Sequence, residues 1–420
     1  MNINYHKKTN IYFSYLYVFL ILFFSTKASA LSSSILLTRS VAFTLLIFFL
    51  FNKINIEKKF FKFVIFFFLF ALIICYKYDS IQPFIDFLFF FVDVILLAYF
   101  SLKFVGSNFF IIFEKIVYKW ALFSAPLFLL QLIIPDTIFK LNATVGSILS
   151  MSKLELNREN YSNSILFTMN NAEHIERNCG FMWEPGAFGA MLIIAFVIYL
   201  NSINFKFSKK SIVYLLLILS TFSTTAYLNL LLIPFFYLFN SKQNKNYVLI
   251  GSIMIIGVVL FLNFSSTVFL DKIFFQLNTI DTNLNLLDYK EETVALDRFA
   301  SLIYLLPEIQ KNFWLGTGWS YVNDIATSKT VNLSNGLAFY FVIFGFVGFM
   351  YLIFNLFKTA LKLFDKNKKQ AGLFVILILN IGFSNPTFLL PFFISLQLFY
   401  LLKFDNKFYF NNKKIQFHGN

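Results

Sequence analysis

Of 420 residues, 58% are hydrophobic and 21% aromatic, while only 13% are charged, about half the charge density of a soluble domain. That excludes a water-soluble fold around one core and fits a chain spread through lipid, where each helix of about 20 residues satisfies its own backbone. The formal charge of +14 does not indicate nucleic acid, because the lysines fall in short clusters between apolar runs, as the inner loops of a membrane protein do.

The first apolar run follows Lys7 and Lys8 and precedes Ala28-Ser29-Ala30, which imitates a secretory signal with its cleavage site. With many spans behind it, an uncleaved first helix is expected. Apolar runs predict spans near 11–26, 34–52, 60–76, 81–101, 117–135, 182–201, 211–224, 226–240, 247–263, 335–357, 371–385 and 387–402. The 30 residues of 211–240 are too long for one straight span and are interrupted by Ser220, Thr221, Ser223, Thr224 and Thr225. A helical hairpin is expected there, with one tilted helix as the alternative. The expected fold class is therefore all-α: a polytopic helical membrane protein of about 12 transmembrane helices with two large external loops.

Twelve spans bring both termini to one side, and placing that side in the cytoplasm puts 23 of the 35 basic residues inside. The chain then divides into N-terminal spans (1–135), a first external loop (136–181), central spans (182–263), a second external loop (264–334), and C-terminal spans with a cytoplasmic tail (335–420). In the second loop Phe299, Leu302, Ile303 and Leu306 recur at helical spacing, so an amphipathic helix is expected over 294–306, kinked or ended by Pro307. Cys75 and Cys179 form no metal or redox motif; a disulfide between them is one reading and two inert thiols the plainer one. His6, His174 and His418 are scattered and make no zinc constellation.

Two constellations carry candidate chemistry. The first runs from Arg177 to Ala190 at the outer start of a span. Pro185 suits a first helical position, which puts Glu184 at the N-cap, and Gly186 and Ala190, four residues apart, offer a face for close packing. A helix N-terminus at the membrane surface attracts anions, and Arg177 adds a planar two-pronged donor for phosphate. A carboxylate in that place is costly unless paired or functional. Glu184 is therefore either half of an ion pair with Arg177 that pins the helix end, or a working group. The second constellation is Asp297-Arg298-Phe299, then Gly316-Thr317-Gly318-Trp319, then Ser334-Asn335-Gly336. Gly316 and Gly318 permit a tight turn with exposed amides, but without a preceding strand they make no dinucleotide site. Arg298 would ordinarily be a solvated residue of its helix. A ligand shared with Arg177 would give it a role, and arginine is rare in a chain with only four of them, Arg39 and Arg158 being the others.

The pattern R-x-x-G-F-x-x-E-P-G-x-x-G over 177–189 is followed by the Ser/Thr-rich break and then D-R-F. Fourteen residues on come W-L-G-T-G-W, then S-N-G, a span with Gly345 and Gly348, and the closing Ser384-Asn385-Pro386. This ordered set resembles the O-antigen polymerase and O-antigen ligase superfamily over about half the chain. The resemblance implies a glycan on undecaprenyl pyrophosphate as substrate, no metal ion or other cofactor, and a bacterial inner-membrane location with chemistry at the periplasmic face. It implies that Arg177 and Arg298 hold the pyrophosphate. Ligases of the superfamily usually carry a catalytic His where this chain has Ser334, so a polymerase of oligosaccharide repeat units is the expected activity. That leaves the base open, with Glu184 as candidate and Asp297 behind it. Trp183 and Trp319 would stack on sugars or anchor at the interface, and Gly316, Gly318 and Asn335 complete the expected substrate-binding set. Membrane lipid and a chain-length regulator protein are the other expected partners. A ligase is the rival within the same chemistry. A flippase or transporter is the rival outside it, and would place polar residues and broken helices at the midplane, with internal repeats that this sequence lacks.

Overall fold

The computed structural model describes residues 11–51, 55–148, 161–170, 176–240, 257, 274–280, 294–319 and 331–403. The expected span at 247–263, apart from residue 257, both termini, Arg158 and much of the expected second external loop lie outside the described residues. Helices dominate: α1 Ile11–Thr26, α2 Ala30–Ser33, α3 Ile35–Phe51, α4 Lys58–Tyr78, α5 Gln82–Phe90, α6 Leu97–Val105, α7 Phe109–Ile133 and α8 Pro135–Ile148 in the first part. The central part holds α9 Pro185–Ser202, α10 Lys209–Ser220, α11 Thr224–Leu230 and α12 Ile233–Leu238. Then come α13 Arg298–Lys311, α14 Gly336–Leu363, α15 Lys368–Ser384 and α16 Pro391–Leu398. Among the described residues, four stretches are long and apolar enough to cross a membrane: Lys58–Tyr78, Gln82–Ile133, Pro185–Ser202 and Gly336–Leu363. Shorter apolar helices accompany them. The expected spans 81–101 and 117–135 lie in one stretch, interrupted by a 3-10 turn at Gly106–Asn108.

Between α5 and α6 a π-helical segment, Phe91–Leu96, carries Asp93, and both carboxylate oxygens of Asp93 accept from Arg39 at 2.8 and 2.9 Å. A paired fork of this kind is what lets two charges sit among apolar helices. Arg39 thus has a structural partner.

Helix α9 is the centre of the bundle. Fifteen of its 18 residues are buried, as expected of a helix that is apolar all round. The expected hairpin is present. Helix α10 runs beside α9 to its N-terminal end, where the Asn178 amide donates to the Ser220 carbonyl at 3.0 Å. After a break at 221–223, with Phe222 in the left-handed region (φ 44), α11 and α12 return. They end beside the C-terminal end of α9, where Asn240 Nδ2 donates to the Asn204 carbonyl.

The all-α class holds, with two small sheets among the described residues: an antiparallel pair β1 Tyr161–Asn163 with β2 Thr168–Asn170, and a parallel pair β3 Val294–Leu296 with β4 Val331–Leu333. Two expectations need correction. The amphipathic helix starts at Arg298, not 294, because β3 holds 294–296 and the Asp297 side chain accepts from the amides of Phe299 and Ala300. Pro307 does not end that helix, which continues to Lys311. A proline removes one backbone donor, and here the helix is also held by packing of Leu296, Ala300 and Leu305 against Val331, Ala338 and Val342. The two cysteines are unpaired, Cys179 buried and Cys75 partly so.

Candidate functional site

The N-terminal end of α9 is where the distant motifs meet. Glu184 occupies the N-cap with extended backbone (φ −152, ψ 160) and Pro185 follows at the first helical position. The Glu184 side chain makes no capping bond to the helix. Where Ser or Asp would spend its oxygen on the first amides, this carboxylate is turned elsewhere. Its Oε1 lies 3.4 Å from where a side chain on Gly186 would begin.

The Ser/Thr-rich break grips both Arg177 and Arg298. Arg177 Nε donates to the Thr221 carbonyl at 3.3 Å, and Arg298 Nη1 donates to the Thr224 hydroxyl at 3.1 Å. Two guanidinium groups 121 residues apart in sequence are thus anchored within four residues of one another on the same turn. Burial lowers the pKa of both, and in each case the charge of Glu184 opposes that shift. The positive charge of Arg177 pushes Arg298 further in the same direction as burial. Two neighbouring, half-buried cations of like sign form an arrangement that an anion would stabilise.

Helix α13 and the start of α14 fix the position of Arg298. Asp297 caps α13, and Asn335 caps α14 by accepting from the Ala338 amide at 3.0 Å while its Nδ2 donates to the Arg298 carbonyl at 3.1 Å. Ser334 is spent on the β3 edge, its hydroxyl donating to the Leu296 carbonyl at 2.9 Å. Gly336 then lies flat against the segment that closes α15: a Cβ there would run into the Asn385 carbonyl and the Pro386 Cα. S-N-G and S-N-P are therefore two halves of one backbone contact, and it brings Asn385 beside Glu184.

Some expected members of the site lie elsewhere. Gly316 and Gly318, both at positive φ, clasp a break in α14 at Gly345 (φ 61, ψ −170). The amides of Thr317 and Gly318 are not exposed: they donate to the carbonyls of Val342 and Ile343 at 2.8 and 3.0 Å. Ten residues of α14 separate Gly345 from Asn335, about 15 Å of helix, so this clasp is remote from the arginines. Trp319 packs among Phe87, Phe90 and Phe344 with ring centroids 4.9–5.5 Å apart, as part of the core. Trp183 packs, partly buried, on the main apolar cluster. On α9 Gly186 and Gly189 approach the hairpin break closely, facing Ser223, Thr221 and Ala226.

Sequence reasoning left out Thr221, Ser223, Thr224 and Asn385 as site residues, although all four were visible as polar side chains inside apolar stretches.

Residues 210–353 match the family model described as O-antigen ligase. No curated protein and no solved structure matches. The family match covers about a third of the chain, from the hairpin through α13 into α14, and so includes Thr221, Thr224, Arg298 and Asn335. It supports the superfamily of O-antigen ligases and polymerases, membrane enzymes of glycan transfer, to which the motifs already pointed.

Proposed function

We propose that this chain polymerises oligosaccharide repeat units carried on undecaprenyl pyrophosphate, by glycosyl transfer at the outer face of the bacterial inner membrane. One observation carries the reading: Arg177 and Arg298, from separate external segments, are anchored on the same turn beside Glu184 and the N-terminus of α9. In the reaction the acceptor hydroxyl oxygen bonds to the donor's anomeric carbon as the bond from that carbon to the pyrophosphate oxygen breaks. The bonding pair leaves with the pyrophosphate, whose added charge the two guanidinium groups and the helix terminus stabilise. The acceptor proton passes to Glu184, the one candidate carboxylate not used in capping a helix. Asp297, committed to the amides of Phe299 and Ala300, positions Arg298 instead.

A polymerase is favoured over a ligase because the place of the ligase histidine is held by Ser334, whose hydroxyl already bonds the Leu296 carbonyl. Deleting the gene tests this in the native host. A surface glycan cut to one repeat per anchor is the expected result. Full-length polymer stranded on its lipid carrier would mean a ligase, and an unchanged surface glycan would refute both.

A further inference from the structure

Asn385 presents an unexplained group. Its side chain is 3% exposed, yet Nδ2 has no hydrogen-bond partner. A buried donor left unpaired costs about 1–3 kcal/mol and calls for an explanation. The donor lies 3.3 Å from the point where a side chain on Gly186 would begin, and Glu184 Oε1 and Ser223 Oγ lie 3.4 and 3.7 Å from that same point. Three polar atoms from three distant parts of the chain thus converge over a residue that has no side chain to fill the space between them.

We propose that Asn385, Glu184 and Ser223 form a niche over Gly186 that binds the attacking hydroxyl of the acceptor glycan, distinct from the arginine pair that takes the pyrophosphate. The assignment rests on the reading of the preceding section and gives the acceptor a place in it. A sugar hydroxyl donates one hydrogen bond and accepts others. The niche offers a carboxylate to receive the proton and an amide N–H to donate to a lone pair. Ser223 already accepts from the Ala226 amide, so its own hydroxyl proton is free to turn toward the ligand. Asn385 would hold the oxygen in line while Glu184 removes its proton, which makes Asn385 a substrate ligand and not a base.

Stability and activity should respond in opposite directions. In Asn385→Leu an unpartnered buried donor is removed, so the melting temperature of the purified protein should stay at or above the wild-type value. Polymer beyond one repeat should be lost in cells, and stabilisation of the purified protein by inorganic pyrophosphate should persist because both arginines remain. Gly186→Ala, which fills the niche and leaves its polar groups in place, should give the same pattern. A fall in melting temperature with proportionate loss of polymer would assign Asn385 a structural role, and a full polymer ladder in Asn385→Leu would remove it from the site; either overturns the niche. If Arg177→Lys also keeps its ladder and pyrophosphate stabilises nothing, the underlying reading fails. Loss in the arginine variant with a full ladder in Asn385→Leu sinks only the niche.

Discussion

The two ends of the α9 bundle use positive charge differently. At the N-terminal end the cations are arginines, half-buried, each aimed by a hydrogen bond to the break between α10 and α11. At the other end Lys366, Lys368 and Lys369 lie exposed around a cavity of about 570 Å³, with Asn201, Asn204 and Asn240 in its wall. There the side-chain amides serve the chain itself: Asn201 donates to the Leu363 carbonyl and Asn367 to that of Phe239, both at 2.7 Å. The lysine end holds loops together and supplies charge without direction; the arginine end supplies direction.

The most direct test of that contrast exchanges charge for geometry. Arg177→Lys and Arg298→Lys keep the charge but lose the planar fork, and each should cost about 10²–10³ in rate, as loss of one transition-state donor does. The triple variant Lys366→Gln, Lys368→Gln, Lys369→Gln removes three charges at the far end and should leave polymer length unchanged at equal protein abundance. Equal loss at both ends, read from glycan ladders and immunoblots, would erase the distinction.

Glu184→Gln comes next, with an expected loss of about 10²–10⁴ in rate and normal insertion and abundance. Glutamine keeps the shape of the side chain and can still accept a hydrogen bond, so the helix end should be kept. Normal polymer length in this variant would take Glu184 out of the chemistry. Gly336→Ala should act through the fold: the new methyl meets backbone at Asn385 and Pro386, which cannot rotate aside. A loss of about 1–3 kcal/mol is expected for such overpacking, read as a lower melting temperature with a matching loss of polymer as Asn385 is displaced.

Much of the fold was legible because apolar runs and their interruptions are local. Helix α1 covers the expected 11–26, and the break in the hairpin falls inside the Ser/Thr cluster that announced it. Arg177, Glu184 and Arg298 were legible for another reason: charge beside lipid is costly, so each one asks for a purpose. The G-T-G turn was misread because its partner is non-local. Only the left-handed break at Gly345 shows where the amides of Thr317 and Gly318 are spent. Pro307 misled because its effect depends on packing against α14 that sequence does not display. Asn385 was part of a quoted motif, but its missing partner appears only when the neighbours are in place.

The smallest effect is expected at Asp297, and it separates a cap from a catalyst. Sequence alone made Asp297 the second candidate for the base, because a carboxylate beside Arg298 fits that role as well as a structural one. The structure commits its Oδ1 to two amides, at 3.1 Å from Phe299 and 2.9 Å from Ala300. Asparagine caps a helix about as well as aspartate but cannot take a proton from a hydroxyl at neutral pH. Asp297→Asn should therefore retain polymer length and melting temperature. Asp297→Ala should lose about 0.5–2 kcal/mol of stability, the range for a lost cap, with shortened rather than absent polymer as Arg298 loosens from Thr224. Collapse of the ladder to one repeat in Asp297→Asn, at unchanged melting temperature, would return Asp297 to the chemistry and move the base from the α9 terminus to the start of α13.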